Sequence, residues 1–234
     1  LNPIVAADGF NVYVLWKAYD AINGHLLLRR STNGGIAFED IQDLGFAPGE
    51  LINHKLIVIG SNVYVAWQQR SGTYSPFYIN FRHSTDNGAT WDPPLNESPR
   101  EVGIGASSDT MGFAVAGTYV YLAWSTDDPT LSGLKNDIFF SRSADGGRIF
   151  ETPRNLIGNS YSTHLIAEGS NVYLTWVSLI SYPYQSTAQF SSSSDAGLNW
   201  TPVQTLSSDA RAAYAPQLVL SNGTLLTVWM DAPD

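Results

Sequence analysis

SNVYVAW, residues 61–67, has four counterparts in the chain: FNVYVLW (10–16), TYVYLAW (118–124), SNVYLTW (170–176) and GTLLTVW (223–229). Their tryptophans fall at positions 16, 67, 124, 176 and 229, so one structural unit recurs along the whole chain. Valine, Tyr and Trp at alternating positions fit a pleated strand and not a helix. Ahead of each segment lies a short apolar run: NPIVAA (2–7), HKLIVIG (54–60), GFAVAG (112–117), HLIAEG (164–169) and PQLVLS (216–221). A Gly or Asn turn separates run from segment, as at Gly60-Ser61-Asn62 and Gly169-Ser170-Asn171, which is tight-hairpin chemistry.

A third strand follows in LLLRRS (26–31), INFRHS (79–84), IFFSRS (138–143) and AQFSSS (188–193), and a short fourth leaves the polar motif that comes next. No segment carries a helical period of 10–15 residues. Four antiparallel strands in units of roughly 40–55 residues are the pattern of a β-propeller. The expected fold is therefore all-β, about five four-stranded blades in one domain spanning 1–234. The units are approximately 1–50, 51–107, 108–160, 161–212 and a partial 213–234. The last ends after its second strand, so TLLTVWMD (224–231) is expected to present an open sheet edge. The Trp of each second strand is read as a blade-to-blade packing residue.

The third strands run into four related octapeptides: STNGGIAF (31–38), STDNGATW (84–91), SADGGRIF (143–150) and SSDAGLNW (193–200). Asp can accept backbone N–H bonds inside its own turn, and Gly can supply a positive φ. A catalytic centre needs unlike groups converging, whereas four equal copies do one job four times. The motif is therefore read as scaffold. It resembles the Asp-box, the bacterial neuraminidase repeat of sialidase-like propellers, as found in secreted archaeal and bacterial repeat proteins. The matching residues are Ser84, Asp86, Gly88 and Trp91; Ser143, Asp145, Gly147 and Phe150; and Ser193, Asp195, Gly197 and Trp200. The first copy has Ser31, Asn33, Gly35 and Phe38, with Asn where the motif has Asp.

The resemblance implies a sialidase-like propeller with Asp-boxes at the blade periphery, away from any sugar. It also implies, for active members, three Arg gripping a carboxylate, a Tyr–Glu nucleophile pair, an Asp acid/base and six blades. Here the chain departs from that pattern. The Arg-Ile-Pro motif is absent, Asn2-Pro3-Ile4 standing near that place, and most of the nine Arg sit in or beside the Asp-box hairpins. The expected function is a non-catalytic extracellular or cell-surface module binding a glycan or protein. The alternatives are a structural subunit completed by strand donation at the open edge, and a sialidase-type glycoside hydrolase.

Ligand-binding candidates come from the unlike loops at the other end of the blades. They are Arg70, Tyr74 and Tyr78 in 68–78; Arg100 in 96–109; Asp127 and Asp128 in 125–137; Tyr182 and Tyr184 in 177–186; and Arg211 and Tyr214 in 206–215. Exposed Tyr with Arg and Asp suits sugar or protein recognition. No cofactor or metal is expected: His54 and His164 open equivalent strands without a third ligand nearby, and His25 and His83 are read as surface residues.

A charge of −9, from 21 acidic and 12 basic residues, opposes binding to nucleic acid or to anionic membranes. The chain has no Cys, and no apolar run approaches the roughly 18 residues of a membrane span. Leu1 in place of Met is read as a processed or trimmed start, compatible with a removed export signal.

Overall fold

The computed structural model describes residues 2–20, 23–47, 49–70, 72, 77–93, 100–106, 111–127, 136–181, 185–208 and 212–232. Every regular element among them is a β-strand. The chain divides into two compact units, Leu1–Ile104 and Gly105–Asp234.

The first unit opens with an antiparallel sheet of β1 (Ile4–Asp8), β2 (Asn11–Tyr19), β3 (Gly24–Ser31) and β4 (Gln42–Ala47), in that order. A second sheet follows: β5 (Glu50–Ile59), β6 (Asn62–Arg70) and β7 (Phe77–Ser84), with β8 (Arg100–Ala106) beside β7. The stretch 96–109 was expected to be loop, and β8 lies inside it. Its Gly103 and Gly105 dilute the apolar alternation that marks the other strands. Between the two sheets, Tyr13, Leu15, Leu26, Leu28 and Leu44 pack against Leu51, Val63, Val65, Trp67 and Trp91. Trp67 is fully buried. A Cβ on Gly45 of β4 would stand 2.5 Å from the Trp67 ring, so only glycine lets the indole lie this close to the neighbouring blade.

The second unit repeats the plan. The strands β9 (Gly112–Ala116), β10 (Tyr119–Asp127), β11 (Asn136–Ser143) and β12 (Arg154–Ile157) form one blade. The next is β13 (Ser160–Glu168), β14 (Asn171–Ser181), β15 (Gln185–Ser193) and the two-residue β16 (Gln204–Thr205). Tyr121, Ala123, Ile138 and Phe140 of the former pack on Leu165, Val172, Leu174 and Trp176 of the latter. A final two-stranded sheet pairs β17 (Ala213–Ser221) with β18 (Thr224–Asp231). One face of it leaves Leu226, Val228 and Met230 57–63% exposed. These residues continue the register that buries Tyr13 and Leu15 in the first blade.

The four octapeptides occupy one register. Val12, Val63, Val120 and Val172 face Ser31, Ser84, Ser143 and Ser193 across their hairpins. Each Ser hydroxyl donates to the Asn33, Asp86, Asp145 or Asp195 side chain at 2.6–2.8 Å. Each also accepts from the backbone N–H of Gly35, Gly88, Gly147 or Gly197. The Asn or Asp oxygen in turn accepts the N–H four residues on, at Ala37, Thr90, Ile149 and Asn199. Each hairpin is then tied to the first turn of its own blade, through bonds such as Asn87 N–H to Ser61 O and Ala196 N–H to Ser170 O, both 2.8 Å. Burial pushes the Asp86 carboxyl up, but bonds from Thr90, Ser84 and Ala89 outweigh it and hold the group at about 2. Asn33 accepts the same two bonds as its Asp counterparts, which explains why the first copy keeps the hairpin.

The tryptophans of the second strands divide by position. Trp67, Trp124 and Trp176 are buried, whereas Trp16 and Trp229, in the first and last blades, are only partly so. Where a following or preceding blade is in the same unit, Trp67 and Trp176 face the preceding one.

Candidate ligand-binding face

The ends of the second strands and the starts of the third lie opposite the octapeptide hairpins. In the first unit this end gathers side chains around the start of β5. Arg70, the last residue of β6, pairs with Glu50 (Nη2 to Oε2, 2.5 Å), its cross-strand partner. Its guanidinium lies 4.6 Å from the Phe77 ring centroid, a cation–π arrangement that helps to hold the fork in place. The next residue along, Leu51, offers its carbonyl to the Tyr19 hydroxyl at 3.1 Å and to Lys17 Nζ at 3.5 Å. Tyr19 is nonetheless 51% exposed. An exposed phenol, two cations and a carboxylate thus surround two consecutive residues of β5.

Tyr78 stands differently. It faces Gln69 across the hairpin, one residue away from Arg70, so the pleat sends the two candidates to opposite faces of the sheet. Tyr214, on β17, faces Met230 and shares its exposed face. Asp127 ends β10, and Arg100 begins β8. Tyr74, Asp128, Tyr182, Tyr184 and Arg211 lie outside the described residues.

Sequence reasoning passed over Lys17, Tyr19 and Glu50, which are scattered over more than 30 positions. It also passed over a second cluster at the same end of the first blade. His25 Nδ1 donates to Asp43 at 2.6 Å and Nε2 to Asp20 at 3.2 Å. The bonds to Asp43 and then to Asp20 raise the His25 pKa, so its cationic form is favoured. His83, expected at the surface, is buried. It stacks on Tyr64, its cross-strand partner, with ring centroids 4.3 Å apart. His54 donates through Nε2 to Asn2 O at 2.8 Å, and His164 accepts from the Leu218 N–H. Both are thus engaged by backbone. Among the described residues no three His, Cys, Asp or Glu side chains group as a metal site.

Arginine use bears on chemistry. Arg30 pairs with Glu39 and donates to Asn87 O of the following blade. Arg142 pairs with Glu151 and donates to Ala196 O of its own following blade. Arg29 holds Glu39 O and Phe38 O, and the buried Arg82 holds Leu44 O and Pro93 O. Arg154 holds Leu198 O and Gly197 O. These five fork donors are committed to the framework.

Comparison with solved structures decides the fold. A polysaccharide lyase matches 99% of this chain at TM-score 0.65 and 12% identity. The chain has a β-propeller fold. A Hadza microbial sialidase matches 97% of it at TM-score 0.60 and 14% identity. An α-L-arabinanase of Penicillium chrysogenum, complexed with arabinobiose, matches 94% at TM-score 0.57 and 10% identity. The chain spans 55% of the lyase, 52% of the sialidase and 71% of the arabinanase, so it matches about half the length of the first two. At these identities the likeness is one of fold. No family model and no curated protein matches the sequence.

Proposed function

We propose that this propeller is a non-catalytic, extracellular or cell-surface module that binds a glycan through the end of the blades carrying Tyr19, Lys17, Glu50 and Arg70. The observation that carries the reading is the Arg70–Glu50 pair over the Phe77 ring, with the exposed Tyr19 bonded to the next residue of β5. An aromatic face offers apolar contact to a sugar ring, and an oriented fork and carboxylate offer donors and acceptors to its hydroxyls. The sugar-processing neighbours support a glycan as the ligand class. Arg29, Arg30, Arg82, Arg142 and Arg154 are committed to carbonyls and carboxylates of the framework, so these five are not offered to a ligand.

A glycan array followed by calorimetry tests this. Tyr19→Ala and Arg70→Ala are each expected to weaken the selected glycan at least about tenfold, roughly 1.4 kcal/mol, with the wild-type melting temperature nearly retained. Turnover of a fluorogenic glycoside by the wild-type chain would establish the hydrolase reading instead. Absence of any glycan binding would remove the proposal.

A further inference from the structure

The joint between the first two blades and that between the third and fourth pair the same two faces. Tyr13 and Leu15 of β2 pack against Val63, Val65 and Trp67 of β6, with Leu56 and Val58 of β5 beside them. Tyr121 and Ala123 of β10 pack in the same way against Val172, Leu174 and Trp176 of β14, with Leu165 and Ala167 of β13 beside them. Each joint thus sets one face of a second strand against the Trp-bearing face of the next blade.

One face of each kind is left open. In the final sheet, Val219, Gln217 and Tyr214 of β17 stand opposite Leu226, Val228 and Met230 of β18. All six are exposed, Val219, Leu226, Val228 and Met230 by 55–63%, and none is charged. Leu226 and Val228 precede Trp229 by three and one residues, as Tyr13 and Leu15 precede Trp16, so this is the face that a following blade covers elsewhere. In the first blade, Val5 and Ala7 of β1 stand opposite Val14 and Val12 of β2, on the side that carries Trp16. They hold the places of Leu56 and Val58, which stand opposite Val65 and Val63. Val5 is 65% exposed, whereas its counterpart Leu165 in the fourth blade is 2% exposed. Contiguous apolar patches are uncommon on monomers, and Tyr and Met are enriched where proteins meet.

We propose that the final sheet of one copy of this protein docks on the first blade of a second copy. Leu226 and Val228 then meet Val14 and Trp16 of the neighbour as Tyr13 and Leu15 meet Val65 and Trp67. A second copy is the occupant because this chain itself carries the Trp-bearing face that covers the equivalent position in both joints. The two faces differ, so the contact is heterologous, and each added copy brings one new face of each kind; such an assembly closes into a ring or grows as a filament. The contact buries sheet faces and does not use the β18 edge, which separates it from strand donation. It does not depend on the glycan reading.

Sedimentation velocity of the full chain over a concentration series tests this, with Val228→Glu blocking the last face and Val5→Glu the first. Both positions are exposed, so the folds should be unchanged by circular dichroism; Leu226→Lys and Ala7→Glu replace either variant that does not fold. The wild-type mass is expected to rise above one chain with concentration. Each variant alone is expected to weaken self-association at least about tenfold. An equimolar mixture of the two should form a two-chain particle and nothing larger, because each variant supplies the face that the other lacks. A wild-type mass of one chain at about 1 mM would overturn the proposal. Undiminished association of Val5→Glu alone would overturn it in favour of two last faces meeting, and undiminished association of both variants in favour of pairing at the β18 edge. A mixture that stays at one-chain mass would overturn it as well.

Discussion

Trp67→Ala will destabilise the protein by about 3–5 kcal/mol, the range for emptying a fully buried Trp site. Trp67 has no exposed surface, and its ring is pressed against the Gly45 backbone of the preceding blade. The strand that carries Trp67 cannot collapse into the space, because ladder bonds to β5 and β7 fix β6 on both sides. The change also removes the donor that Gln69 Oε1 accepts at 3.0 Å. Trp229 holds the corresponding place in β18 but remains partly exposed, so Trp229→Ala should cost much less, under about 2 kcal/mol. Urea unfolding followed by far-ultraviolet circular dichroism measures both. Equal losses would contradict the assignment of Trp67 to blade-to-blade packing.

Gly197→Ala combines two penalties. Gly197 adopts φ +82°, a left-handed conformation that a Cβ disfavours by about 1–2 kcal/mol. An added Cβ would also stand 2.7 Å from the Phe140 ring of the preceding blade, an aromatic edge that cannot bend away. Overpacking of this kind adds about 1–3 kcal/mol, for a total near 2–5 kcal/mol. Gly35 provides the control. Its φ is +87°, and nothing lies within 4 Å of its would-be Cβ. Gly35→Ala should therefore show the conformational penalty alone, about 1–2 kcal/mol. If the two variants melt together, the Phe140 contact is not a constraint on the hairpin.

These contrasts show where sequence reading succeeds. The propeller is legible because its signals are local. Tyr-Val alternation, a Gly or Asn turn and the Trp that closes the segment lie within ten residues of one another, and repetition at near-constant spacing multiplies the signal. The octapeptide bonds are legible for the same reason, since Ser84, Asp86 and Gly88 satisfy one another inside a single turn. The candidate site is less so. Tyr19, Glu50 and Arg70 meet only because three strands end at one level, and Arg70 and Tyr78 separate because of a one-residue pleat. His83 was expected at the surface, but its register places it on Tyr64.

The central claim is that the octapeptides build the blades while ligand recognition belongs to their opposite ends. Asp86→Ala tests it most directly, with unfolding free energy and glycan affinity measured on the same preparation. Asp86 accepts from Ser84 Oγ, Thr90 N–H and Thr90 Oγ1 at 2.6–2.8 Å. The expected result is a stability loss of about 1–2 kcal/mol with glycan affinity unchanged. Lost affinity at wild-type stability would place recognition in the octapeptide hairpins and contradict the account.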